Sequence, residues 1–516
     1  LRWFGTGVFV IFGFTVLVLD TPHAVDEISA PFLNAYLPAS LMGIVATFVA
    51  AYFLHRYRNT LPEGERYLFP SFVVAGNVLV TLLFPVQVDG AWIAVAWAAE
   101  GVRLGAGELL VTTRMGAEVG FVFLWGVIAA CILKFFIQLE LGRQCILHDN
   151  TTIQALDRVP GPRYRASWLA WICVLGYFSV FMALIGILGS VAGLVHTVAP
   201  WLGYRVWAVA ILLLMAVLLW RGLYEDLERM VTILVAAFSV IVIGSLLVLQ
   251  ATGYAITSAE LVSGFGFSLP PEGAFVALAV MGSVGATGVE LFMYPYWVRE
   301  KGYPRFVGVD DGSDGWRQRY QGWMRVLAMD AGVCTAIALV ITTAYYLLGA
   351  SVLSRLNVIP QGPEVVDQVS LIFTETLGPA WKGLFMFGAF CTLFSTLLVF
   401  AASSGRIGAD FLGRLKVPSA QTDAGRRQVS RALQIAFPVF WLCVILLESD
   451  TPFFFVLLGA NANNLLLIPM AYSVLHLAMR EVESRRMSLG VELGLMLTIW
   501  VIINFTAVNL YLTWTG

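Results

Sequence analysis

The feature that most limits this chain is the recurrence of apolar runs about 20 residues long, separated by short polar segments. Only structures that satisfy their own backbone hydrogen bonds can cross lipid, and runs of this length do so as helices. Spans are predicted near 3–19, 39–55, 68–87, 91–113, 119–139, 167–196, 201–220, 230–250, 273–298, 324–350, 379–403, 432–448, 453–479 and 489–513. The expected fold class is therefore an all-α polytopic membrane protein with the lipid bilayer as its partner. Of the 516 residues 59% are hydrophobic and 12% charged, whereas a soluble domain carries roughly 25% charge. A net charge of -2 with no basic-aromatic patch argues against a nucleic-acid partner. Cys131, Cys173, Cys334, Cys391 and Cys443 fall inside apolar runs and Cys145 just past one, so they read as small packing residues rather than a disulfide or metal framework.

From the fifth span onward the loops alternate in charge. Segments 140–166, 221–229, 299–323, 404–431 and 480–486 hold most of the Arg and Lys, which places them in the cytoplasm. The 114–118 turn and the C-terminal end then lie outside. The first hundred residues break this parity by one crossing. Either 91–113 dips in and returns, one of the first three spans does not cross, or residues 1–90 are a segment foreign to the rest; the last reading is favoured.

Two carboxylates stand in an unusual setting. Glu108 lies in Leu104-Gly105-Ala106-Gly107-Glu108-Leu109, and Glu290 in Val284-Gly285-Ala286-Thr287-Gly288-Val289-Glu290-Leu291. An ionisable residue at bilayer depth costs at least about 2.5 kcal/mol, so it persists where it faces a polar cavity or a cation. Glycine-broken apolar segments at corresponding places in two halves of a chain leave carbonyls and helix ends open to a small solute. The pair marks a candidate cation site, completed by carbonyls at Gly105, Ala286 and Thr287. Asn461, Asn463 and Asn464 offer amides at a depth where uncompensated amides are costly, and Asn463 and Asn464 are candidate outer ligands or gates.

Each reading has a plainer rival. Glu108 would be solvated or paired with Arg103 or Arg114, and Glu290 would pair with Lys134 or Arg299. Lys134 would snorkel to the cytoplasmic face, Asp330 would sit beside Arg325, and Tyr294 would pack. The asparagines would join neighbouring helices. Lys134, Asp330 and Tyr294 remain candidates for gating or coupling.

From about Gly105 onward the chain resembles the Nramp (natural resistance-associated macrophage protein) divalent-metal transporters, in particular a divergent bacterial branch. The resemblance rests on Gly107-Glu108-Leu109-Leu110-Val111-Thr112-Thr113, Gln138-Leu139-Glu140-Leu141-Gly142-Arg143, Thr151-Thr152 with Pro160-Gly161-Pro162-Arg163, and Met293-Tyr294-Pro295-Tyr296-Trp297. It implies a LeuT-like five-plus-five inverted repeat, with repeat one at 91–250, repeat two at 273–479, an extra helix at 489–513 and about three additional N-terminal helices. It also implies a multi-pass protein of the bacterial inner membrane. Residues 1–100 resemble instead the tail of a multi-span bacterial membrane protein.

The family's Asp-Pro-Gly-Asn aligns with Gly105-Ala106-Gly107-Glu108, so the Asp is lost and a Glu replaces the Asn. Its Gly-Ala-Thr-Val-Met-Pro-His aligns with Gly285 to Leu291, so Val289 stands at the Met and Leu291 at the His. The soft ligand is gone and a second hard one has arrived. Two carboxylates with carbonyl oxygens suit Mg²⁺, Mn²⁺ or Ca²⁺ better than Cu⁺ or Zn²⁺. The expected cargo is a divalent cation of the Mn, Mg or Fe kind, carried as substrate and not as a cofactor. A proton is the candidate coupling ion, because two empty carboxylates repel; yet Ala166 to His196 lacks the family's usual acidic residues. An organic-cation or amino-acid carrier of the same fold and a non-transporting membrane protein remain the alternatives. No Walker or intramembrane hydrolase motif suggests an enzyme. The oligomeric state is not legible.

Overall fold

A computed structural model describes residues 105–220, 224–268, 273–447, 452–481 and 489–515. The first three predicted spans, and with them the expectation of a foreign segment at 1–90, lie outside the described residues. The span at 91–113 is described only from Gly105.

The described residues are helical nearly throughout. A π-helical turn, Gly107–Thr112, runs into α1 (Thr113–Val119), followed by α2 (Leu124–His148) and the short α3 (Thr152–Asp157). A two-residue hairpin pairs β1 (Arg163–Tyr164) with β2 (Ala166–Ser167). Next come α4 (Trp168–Ser179), α5 (Phe181–Val198), α6 (Tyr204–Trp220), α7 (Tyr224–Leu249) and the loop helix α8 (Ser258–Ser263). The second half opens with α9 (Ala274–Ser283), α10 (Gly288–Glu300), α11 (Tyr303–Val307) and α12 (Asp314–Leu348). It closes with α13 (Val365–Leu377), α14 (Lys382–Arg414), α15 (Asp423–Leu447), α16 (Pro452–Arg480) and α17 (Leu489–Thr515).

Among the described residues eight helical stretches are long and apolar enough to cross a membrane, and α6 and α7 hold shorter apolar stretches. Of the ten spans predicted from 119–139 onward, eight fall on these stretches, and 201–220 and 230–250 fall on α6 and α7. At 35 residues α12 is about 52 Å long at 1.5 Å per residue, well beyond a ~30 Å hydrocarbon core. Its surplus first turns bury Trp316 and Tyr320 against the end of α2 and α11.

Two expectations need correction. Residues 114–118 are not a turn: they lie in α1, and the chain reverses only after Gly120. Arg114 and Glu118, which suggested a polar connection, are an i, i+4 pair at 3.2 Å on that helix, and Arg114 also donates to the Pro360 carbonyl at 2.8 Å. Residues 351–378, which fall between the predicted spans 324–350 and 379–403, contain α13, which buries Val365, Val366, Val369, Ile372 and Phe373. That 3.6-residue stripe is a helix signal too short to register as a span.

The core joins both halves of the described chain: Leu109, Leu188, Val280, Phe292, Leu393 and Leu467 belong to one buried cluster. At the arginine-rich ends of the helices polar ties replace it. Asp157 accepts from Arg414 and from the Ser167 N–H (2.7 Å), while Asp410 accepts from Thr151 Oγ1 (2.8 Å) and Tyr296 Oη (2.6 Å).

Candidate functional site at two helix breaks

Helix α9 ends because Val284 turns extended and Gly285 takes φ +63°, a conformation that side chains rarely adopt. Ala286 leads to Thr287, the N-cap of α10. There the Thr287 Oγ1 accepts from the Glu290 N–H (3.2 Å), and the Glu290 carboxylate accepts from the Thr287 N–H (2.8 Å). The sequence Thr-x-x-Glu at this point is the signature of a capping box. It fixes the carboxylate over the first turn of α10.

The other break is built differently. At its start Glu108 turns back so that its carboxylate accepts from the Gly105 N–H at 3.0 Å, while the Thr112 hydroxyl donates to the Gly107 carbonyl at 3.3 Å. Gly107 lies directly against the end of α9, where a Cβ would overlap the Ser283 carbonyl. The two breaks are therefore packed backbone to backbone. Glu108 is 5% exposed, and its charge lies within electrostatic reach of both Glu290 and Lys134.

Lys134 differs from its sequence reading. It does not snorkel: it is 1% exposed and its ammonium donates to the Val284 carbonyl at 2.5 Å, at the C-terminal end of α9. A helix C-terminus carries partial negative charge, so this is a favourable berth for a cation. Two of the rival partners of the glutamates are engaged elsewhere. Arg299 bonds Asp149 at 2.8 Å, and Arg114 bonds Glu118; Arg103 lies outside the described residues.

Asn463 spans the α9–α10 break. Its Nδ2 donates to the Gly282 carbonyl at 2.8 Å and its Oδ1 accepts from the Val289 N–H at 3.2 Å. Asn464 Nδ2 donates to Thr506 Oγ1 at 2.8 Å, joining α16 to α17, and Asn461 Nδ2 donates to the Phe275 carbonyl at 3.4 Å. Tyr294 and Asp330 form a separate cluster: Tyr294 Oη donates to Asp330 Oδ2 (3.3 Å), and Lys301, not Arg325, is the ion partner of Asp330 at 3.3 Å.

The structure thus brings Gly105, Glu108, Lys134, Ala286, Thr287, Glu290 and Asn463 to the packed breaks. It leaves Tyr294 and Asp330 beside the far end of α10. Sequence reading passed over Tyr345, a buried phenol within electrostatic reach of Glu108, and Ser283, which abuts Gly107. Neither carries a local motif; only the packing of α9, α12 and the π-turn reveals them. Among the described residues no group of three or more His, Cys, Asp and Glu is arranged to hold a metal ion. Any cation here would be held by two carboxylates together with carbonyl or water oxygens.

A comparison with curated protein sequences finds no match. Among solved structures, a single-residue variant of the manganese transporter of Eremococcus coleocola aligns with a TM-score of 0.55 at 14% identity, over 82% of this chain and 87% of that one. MhsT in complex with L-phenylalanine aligns at 0.51 and 15% identity, over 82% and 98% of the two chains. Mhp1 in an inward-facing conformation aligns at 0.50 and 14% identity, over 82% and 91%. At such identities the likeness is one of fold, the LeuT fold of membrane transporters. The family model described as natural resistance-associated macrophage protein-like matches residues 96–515, a range that includes every described residue. The chain belongs to the Nramp family.

Proposed function

We propose that the protein is a secondary transporter that carries divalent metal cations of the Mn, Mg or Fe kind across the bacterial inner membrane by alternating access. As a member of the Nramp family it is a multi-pass membrane transporter, not an enzyme. In this reading Glu108 and Glu290 are the anionic ligands, and carbonyls at Gly105 and Ala286 complete an oxygen shell; the Thr287 carbonyl, expected to be open, instead accepts from the Leu291 N–H at 2.8 Å. The observation that carries it is the packing of two broken helices, each bearing one glutamate, backbone to backbone at Gly107 and Ser283. Both carboxylates are already oriented by backbone N–H donors, so an arriving ion meets aligned oxygens rather than mobile side chains.

Hard oxygen donors without thioether or imidazole favour a hard cation, and a two-carboxylate shell suits an ion that keeps part of its water. Asn463 has one amide hydrogen bonded to Gly282 and its oxygen already accepting from Val289. Its part is to hold the ends of the break in register, with Asn464 joining α16 to α17. Tyr294 and Asp330, tied to Lys301 at the last turn of α10, would restrain the far half of the broken helix during gating. Mn²⁺ flux into proteoliposomes, with Mg²⁺, Ca²⁺ and organic ammonium ions as competitors, tests the reading. Inhibition by divalent cations alone supports it; inhibition by the ammonium ions favours an organic-cation carrier, and absence of flux removes transport of metal.

A further inference from the structure

A lysine inside an apolar helix and shielded from water is expensive, and breaking its pairing would leave an uncompensated charge. Lys134 has just this position in α2, three residues after Cys131, which packs against Gly285 in the break. The backbone just before it is tied to α17, where Thr498 Oγ1 donates to the Leu133 carbonyl at 3.0 Å. The side chain is 1% exposed, and the ammonium rests on the Val284 carbonyl with both Glu108 and Glu290 within electrostatic reach.

The charges count simply. Two carboxylates alone make a pocket of -2 when empty and neutral when it holds a divalent ion. With the ammonium the same states are -1 and +1. An unpaired -2 buried in a low-dielectric region resists any conformational change that moves it without a counter-ion. The loaded pocket also repels its cargo, because the divalent ion and the ammonium compete for the same two carboxylates.

We propose that Lys134 is a tethered counter-cation of the transport site, exchanging place electrostatically with the divalent cargo. It weakens metal binding and lets the emptied carrier return without a co-ion. Resting on the metal-transport reading, the proposal deepens it by naming the group that sets affinity and resetting. A merely structural lysine, acting as a cap on α9, would need its hydrogen bond and not its charge.

Two substitutions separate the roles. Lys134→Gln keeps a donor for the Val284 carbonyl but loses the charge, whereas Lys134→Met loses both. The full chain is purified, Mn²⁺ binding is measured by isothermal titration, and net Mn²⁺ uptake is compared with Mn²⁺ counterflow in proteoliposomes. Both variants are expected to bind Mn²⁺ at least about tenfold more tightly. Net uptake should fall by about tenfold while counterflow, which never needs the empty carrier to return, stays within about twofold. Unchanged or weaker binding in Lys134→Gln, or equal loss of net uptake and counterflow, overturns the proposal. Should the unaltered protein neither bind nor move Mn²⁺, the metal-transport reading itself has failed, a result visible before any variant is compared.

Discussion

Glu290 and Thr287 hold each other across the first turn of α10: the carboxylate accepts from the Thr287 N–H at 2.8 Å, and the Thr287 hydroxyl accepts from the Glu290 N–H at 3.2 Å. One side chain thus caps a helix and, in the proposed transport, would also bind the cation. The two duties can be separated, because glutamine caps as glutamate does. Glu290→Gln is expected to keep the thermal midpoint in detergent within about a degree of the parent while reducing Mn²⁺ uptake by tenfold or more. Thr287→Ala removes the cap hydroxyl and should cost about 1 kcal/mol of stability. A Glu290→Gln protein with parental uptake would leave the carboxylate with its capping duty alone.

Close approach of the breaks sets a second expectation. A methyl group at Gly107 would overlap the Ser283 carbonyl, and one at Gly282 would overlap the Ala460 carbonyl; at Gly244 it would meet nothing within 4 Å. Gly107→Ala and Gly282→Ala should each destabilise by about 1–3 kcal/mol, as overpacking does. Gly244→Ala should be neutral or slightly stabilising, since alanine favours a helix. Thermal denaturation of the three variants checks the contrast, and equal behaviour would show that the backbones do not meet.

Asn463 makes two bonds to one helix pair, to the Gly282 carbonyl and from the Val289 N–H. Asn463→Ala strands both backbone groups and should cost about 2–4 kcal/mol, counting about 1–2 for each bond lost. Asn463→Asp keeps the acceptor and loses the donor, and should fall between. Chemical denaturation in detergent gives the order; a fully stable alanine variant would mean that the break holds itself.

The ends of α2 and α16 meet through His148 and Glu481, at 2.6 Å. This hydrogen bond, followed by the attraction of nearby cations, holds Glu481 below the ordinary carboxylate value of 4.5. Folding lowers its proton affinity, so the unfolded chain binds more protons as acid is added. The stabilisation is complete above about pH 4.5 and is lost as pH falls through the lower folded value. Thermal midpoints measured from about pH 5 down to about pH 3 should decline less steeply in Glu481→Gln than in the parent. Parallel curves would remove this group from the acid response.

The transmembrane plan was legible because apolar length is a strong signal: from 119–139 onward every span met a helix. Shorter elements were not. In α1 the charged Arg114 and Glu118 imitated a turn, although their spacing of four suits a helix just as well. For α13, an amphipathic stripe of five buried residues lay within a polar loop. Glu108 and Glu290 could be read from their glycine context, and the capping box was open to inspection in Thr287-Gly288-Val289-Glu290. The berth of Lys134 was not legible, since Val284 lies 150 residues away and a backbone carbonyl leaves no trace in side-chain chemistry. Asn463 presents the same difficulty, because its partners are a carbonyl and an N–H of another helix.

The central claim is that Glu108 and Glu290 serve one ion, and a double-mutant cycle on Mn²⁺ affinity addresses it most directly. Isothermal titration of the parent, Glu108→Gln, Glu290→Gln and the double variant gives the coupling between the two positions. A shared ion predicts that each single change weakens binding by about a hundredfold and that the double change is far less than the product of the two. Independent, multiplicative losses, or parental affinity in either single variant, would contradict the account.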